Sequence, residues 1–176
     1  MAAILILIAL LLVISGCGAN NSTDDTTEAI SLNQVGEYSG APYVYLNNNM
    51  PYFTDEEKEN TKPFENYSSL DDLGRCGVAF ANIYKELMPT EERGPIGQIK
   101  PSGWHTVKYN GIIDGNYLYN RCHLIGYQLT GENANELNLI TGTRYLNTEG
   151  MEGFENTVGD YVAEMENHVV WEDTKL

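Results

Sequence analysis

Basic residues are scarce in this chain: 10 Lys and Arg stand against 25 Asp and Glu, a net charge of −15 over 176 residues. Such an acidic excess excludes a uniformly basic surface of the kind that tracks phosphates by charge alone. Cysteine is rarer still, with three residues whose spacing suits no zinc site. No internal repeat is present, which leaves no basis for a solenoid or propeller. Nor does any apolar run reach the roughly 20 residues of a spanning helix. The longest extends from Ala2 to Ile14, and neither Lys nor Arg precedes it.

That run, ending at small residues, has the build of a removed leader over residues 1–16. The sequence Ile14-Ser15-Gly16-Cys17 resembles a bacterial lipobox, in which the cysteine becomes lipidated and then N-terminal. The resemblance implies a lipid anchor at Cys17 and a place on the extracellular face of a bacterial membrane, or secretion if the leader is an ordinary one. Residues 17–37 are polar and acidic, too poor in apolar groups to offset the entropy of ordering, and are expected to be a tether. The folded domain is placed at 38–176.

Within it, Tyr43-Val44-Tyr45-Leu46 suggests a strand that stops at Asn47-Asn48-Asn49. Thr54 followed by Asp55, Glu56 and Glu57 reads as an N-cap with acids in the first helical turn. Gly77 to Tyr84 looks like a buried strand, and Trp104 to Tyr109 like another. Leu137 to Thr141 is a further strand. From about Thr148 to His168 a helix is expected, with Met151, Phe154, Val158, Tyr161, Val162, Met165 and Val169 on one buried stripe.

The charge is unevenly spread. Residues 1–73 carry −9 and residues 145–176 carry −7, whereas residues 74–144 carry +1. Any contact with phosphate therefore belongs to the middle third, where Lys100, Lys108, Arg121 and Arg144 are candidates. With Cys17 consumed by lipid, Cys76 and Cys122 remain. An even pair outside the membrane favours a disulfide, and closing a loop of 46 residues would contribute up to about 4 kcal/mol in the entropic account.

The same third holds the chemistry-bearing stretch: Asn120-Arg121-Cys122-His123, then Asn138, then Asn147, then Glu155. Hydrolysing a phosphodiester needs a base with a pKa near working pH, which histidine supplies at about 6.5. It also needs a cation on the phosphate oxygens; magnesium prefers oxygen ligands, retains several waters and suits a neutral asparagine carbonyl.

These residues resemble the DNA/RNA non-specific endonuclease family, in its streptococcal-type secreted DNase and DNA-entry nuclease branch. That family carries a ββα-metal site with a DRGH motif, here Asn120-Arg121-Cys122-His123. Its second asparagine lies nine residues before the metal ligand and its glutamate eight after, the spacings of Asn138 and Glu155 about Asn147. The resemblance reaches back through Arg93-Gly94-Pro95 to Trp104-His105 and covers roughly residues 70 to 170.

The resemblance implies His123 as general base, Asn147 as the Mg2+ ligand with Mn2+ as a substitute, and Glu155 orienting the ion's waters. Arg121 or Arg144 would bind phosphate, with Asn138 and Asn120 supporting. The partner would be DNA, and also RNA, cut with little sequence preference. The fold implied is α+β, a mixed or antiparallel sheet with a ββα-metal nuclease motif, C-terminally truncated. Two alternatives stand beside it. A non-enzymatic surface lipoprotein would use its Tyr-rich segments as a binding face. A cysteine hydrolase using Cys122 with His123 is disfavoured, because neighbours on a strand point to opposite faces.

Overall fold

Five residues, Ala79–Ile83, fix where the core lies. In the computed structural model, which describes residues 32–165 and 167–173, they form the central strand of a three-stranded antiparallel sheet. In chain order the strands are β1 (Phe64–Tyr67), β2 (Ala79–Ile83), β3 (Tyr119–His123), β4 (Leu139–Thr143) and β5 (Val169–Asp173). β1 and β5 flank β2, with Phe64 opposite Asn82 and Val169 opposite Ile83. β3 and β4 form a separate antiparallel pair.

The alternation along β2 divides two layers. Ala79, Ala81 and Ile83 point into a core completed by Leu124, Ile125, Leu129 and Val162. The two alanines admit these neighbours closely, and each larger aliphatic group buried there contributes about 1.5–3 kcal/mol. On the other face Phe80 packs against Phe53 and Phe64, at centroid distances of 6.2 and 5.1 Å. Asn82 shares that face, and its amide donates to the carbonyls of Asn60 and Lys62 at 2.6 and 3.1 Å. It thereby ties the end of helix α1 (Asp55–Glu59) to the sheet. The Thr54 cap of α1 is a reciprocal capping box with Glu57.

β3 and β4 are joined by a segment containing the short helix α2 (Tyr127–Thr130) and a 3-10 turn at Glu136–Asn138. Gly131, at φ +71°, ends α2 in the left-handed conformation that glycine adopts freely. Beyond β4 the chain makes a π-helical turn over Leu146–Met151, then enters α3 (Glu152–Met165). Val158 and Val162 bring α3 onto the core, and Gly159 lies against Leu129 of α2.

The α+β architecture with antiparallel sheets agrees with the sequence, whereas several local expectations need correction. No strand forms at 43–46; the chain passes into Asn47–Asn49, all three at positive φ. Between 104 and 109 there is only an isolated bridge, Lys108 to Tyr117. The long helix is divided by the π turn, whose i to i+5 bonding widens the helix and shifts the following face. Of the expected stripe within α3, Val158 and Val162 meet the core, whereas Phe154, Tyr161 and Met165 are exposed and Val169 begins β5. The leader, Cys17 and most of the tether lie outside the described residues. Among the described residues no helix is long and apolar enough to cross a membrane.

Candidate active site

His123 closes β3, and its side chain is only 5% exposed. Its Nε2 lies 2.8 Å from the Asn133 carbonyl oxygen. A carbonyl can only accept, so Nε2 carries the proton and Nδ1 keeps its lone pair. Facing that lone pair, at 3.4 Å, is Nη2 of Arg93. Burial lowers the His123 pKa below that of a free imidazole, and the Arg93 charge adds to the effect against the opposing Asn133 bond. The imidazole is thus neutral near pH 7, with one nitrogen ready to take a proton.

Asn138 holds the loop that follows His123. Fully buried, it accepts from the Ile125 N–H at 2.9 Å and donates to the Ile125 carbonyl at 3.0 Å. Both backbone groups of Ile125 are satisfied by one side chain, a supporting task that does not require contact with substrate.

Glu155 reaches the same region from α3. Its Oε2 accepts from Gln128 Nε2 at 3.0 Å, and its carboxyl fills the space where a Cβ on Gly126 would stand, 2.7 Å away. Burial raises the Glu155 pKa, while Gln128 and the charge of Arg93 pull the other way. His123, Arg93 and Glu155 therefore belong to one electrostatic neighbourhood. Asn147 sits in the π turn, where its carbonyl accepts from the Glu152 N–H; π turns of this kind recur at functional sites.

The other candidates are employed elsewhere. Arg121 donates to the carbonyls of Ile99 and Gly97 and lies over the Trp104 ring at 3.8 Å. It pins the 96–104 loop, a structural task beside the expected one of binding phosphate. Arg144 pairs with Asp114 at 2.8 Å, just past Thr143, whose partner Tyr119 lies at the end of β3 opposite His123. Four residues of strand separate those ends by about 14 Å. Asn120, an odd number of residues from His123, lies on the other face of β3. Lys108 rests over the Tyr117 ring at 4.6 Å, Lys100 is exposed, and His105 packs on Tyr119. His168 stacks on Tyr84 at 4.8 Å.

The expected disulfide is absent: Cys76 and Cys122 are both buried free thiols. Cys76 donates to the carbonyls of Glu136 and Leu139, whereas Cys122 fills the space above Gly142, where a Cβ would stand 2.6 Å from its sulfur. Each thiol is occupied by its own packing. Burial pushes the Cys122 pKa up to about 12, so it is not a thiolate nucleophile beside His123.

Arg93 is the residue that sequence reading passed over. It stands in the Arg93-Gly94-Pro95 loop of the non-acidic third, where its position suggested no role. Thirty residues separate it from His123, and only folding brings the two together.

The donor set can be tested for a cation. Among the described residues no three His, Cys, Asp or Glu converge on one point, so a site made wholly of strong ligands is not built there. What the proposed ligands offer is hard oxygen, the Asn147 amide in the π turn and a Glu155 carboxyl whose pKa burial raises. Such donors fit an ion that keeps most of its waters.

A family model described as DNA/RNA non-specific endonuclease matches residues 53–173. Among solved structures, the chain is similar to NucA from Streptococcus agalactiae with magnesium bound, at a TM-score of 0.58 and 24% identity, over 66% of this chain and 58% of that one. The metal-free form of the same protein gives 0.56 and 22%, over 68% and 59%. Sda1 nuclease with bound zinc gives 0.51 and 25%, over 64% and 61%. The chain thus spans about three fifths of the length of these relatives. No curated protein matches it.

Proposed function

Because the chain belongs to the DNA/RNA non-specific endonuclease family, we propose that it is a metal-dependent endonuclease that hydrolyses DNA, and also RNA, with little sequence preference. The observation that carries this reading is the state of His123, neutral and buried, with Nε2 committed to Asn133 and Nδ1 facing Arg93.

In this mechanism Nδ1 of His123 takes the proton of a water as that water attacks phosphorus in line. The Asn133 carbonyl keeps the ring oriented and stabilises the imidazolium that results. Arg93, an exposed residue whose Nη2 faces Nδ1, binds a non-bridging oxygen and stabilises the charge that grows there. Asn147 would hold Mg2+, with Mn2+ as a substitute, Glu155 would orient its waters, and the ion when bound would supply charge to the phosphate and to the departing oxygen. Arg121 contributes by fixing the loop that follows Arg93.

Purified protein incubated with plasmid tests the proposal. Degradation should require Mg2+, stop with EDTA and disappear in His123→Ala. Cleavage that persists in that variant would remove the mechanism. Surface anchoring through Cys17, with the protein outside the cell, belongs to the same proposal, supported by the lipobox-like sequence. Cys17→Ala should leave the membrane fraction of a bacterial host; equal retention would defeat the anchor.

A further inference from the structure

A band of exposed rings borders the segment that carries Asn147. Tyr38 is 74% exposed, Tyr45 63%, Tyr145 45% and Phe154 41%, and Tyr43 lies among them. Soluble surfaces seldom gather so many rings without a purpose. Each ring is held by another: the Tyr38 and Tyr145 hydroxyls meet at 3.4 Å. Tyr43 stands edge-on to Phe154 at 4.9 Å and to Tyr45 at 5.4 Å.

The band lies against the turn that carries Asn147. Tyr145 precedes Asn147 by two residues, and Phe154 is the neighbour of Glu155. The Pro42 carbonyl comes within 3.5 Å of where a Gly150 Cβ would be, so the 38–45 segment lies against the π turn itself.

Charge decides what the band can hold. Glu37 belongs to the N-terminal segment, Glu149 and Glu152 to the turn and the start of α3, and Arg144, next to Tyr145 in the chain, is paired with Asp114. Acids repel the phosphates that a duplex presents outermost. Ring faces are indifferent to that charge and stack on any unpaired base, with a gain per base that does not depend on sequence.

Resting on the endonuclease reading, we propose that Tyr38, Tyr43, Tyr45, Tyr145 and Phe154 form a stacking surface for unpaired bases of single-stranded nucleic acid, giving the enzyme a preference for single strands over duplex. The rings act before chemistry, by holding nucleotides next to the scissile phosphate.

The test uses the full chain in EDTA, so that binding is read without turnover. Fluorescence anisotropy follows a labelled oligothymidylate of about 12 nucleotides and a duplex of the same length. Tyr38→Ser/Tyr45→Ser should weaken oligothymidylate binding about tenfold or more and leave duplex binding within about twofold. Tyr38→Phe/Tyr45→Phe, which keeps the rings, should bind like wild type. Equal loss on both probes, no loss on either, or failure of the phenylalanine pair to restore binding would overturn the proposal. So would sedimentation showing that the serine pair dissociates a dimer, which would assign the band to a second copy of the chain. Plasmid and single-strand cleavage with Mg2+ separates the two readings. Wild type that binds oligothymidylate through its tyrosines but cuts nothing would sink the endonuclease alone, whereas cleavage indifferent to the serine pair on both substrates would sink the stacking surface alone.

Discussion

Nη2 of Arg93 lies 3.4 Å from Nδ1 of His123, so the base and the cation nearest to it share one lone pair until a phosphate enters between them. The Arg93 charge is one of the influences that lower the His123 pKa. Arg93→Ala should therefore cut kcat by two to three orders of magnitude, as for loss of a preorganised charge donor, and move the acid limb of the kcat/KM profile to higher pH. Unchanged kcat with an unmoved limb would leave Arg93 without a role in the reaction.

The buried imidazole also makes stability depend on pH with a definite sign. Its folded pKa lies below the ordinary 6.5, so between those two values the unfolded chain binds a proton that the folded chain does not. Stability falls as pH drops through about 6.5 and levels off below the folded value. Activity, which needs the neutral ring, should persist below pH 6.5 before failing. Urea midpoints of wild type and His123→Gln, compared from neutral pH downward, check the first point: the gap should narrow or reverse as pH falls, and parallel curves would contradict it.

Asn138 and Asn147 should separate cleanly. Asn138→Ala strips partners from the buried Ile125 N–H and carbonyl, a loss of about 1–3 kcal/mol for each group left unpaired. Asn147→Ala should leave the denaturation midpoint in place and raise the Mg2+ concentration needed for half-maximal cleavage. Paired denaturation and metal titrations decide it, and a destabilised Asn147→Ala with normal metal dependence would reverse the assignments.

Gly126→Ala would set a methyl group 2.7 Å from the Glu155 carboxyl carbon. The carboxyl must then swing away from Gln128, so cleavage should fall while the fold stays intact. A Gly126→Ala/Glu155→Ala pair no more impaired than Glu155→Ala alone would show that the glycine acts through that carboxyl; additive losses would refute it.

Two thiols test the absence of the disulfide. Cys76 and Cys122 should both be alkylated after unfolding without reductant and should resist reagent in the native state, since both are buried. Peptide mapping that recovers them as a linked pair would overturn the free-thiol assignment.

The sequence by itself determined the class of fold and the family, and it singled out His123 as the proposed base. β2 was legible because alternation in a buried strand is a local property, and the Thr54 cap because a capping box spans four residues. His123, Asn138, Asn147 and Glu155 were legible as a spaced set through family resemblance, and Asn138 already read as a hydrogen-bonding support. Tertiary structure decided the rest, because it depends on what approaches from far along the chain. Arg93 gained its place by crossing thirty residues to His123, and Arg121 is drawn into holding Gly97, Ile99 and Trp104. The long helix had the right apolar spacing, yet Val158 and Val162 found a core to pack on while Phe154 stayed at the surface. Cys76 and Cys122 follow the same rule: parity and compartment favour a bridge, but a bond forms only where the packing of each thiol brings the sulfurs together.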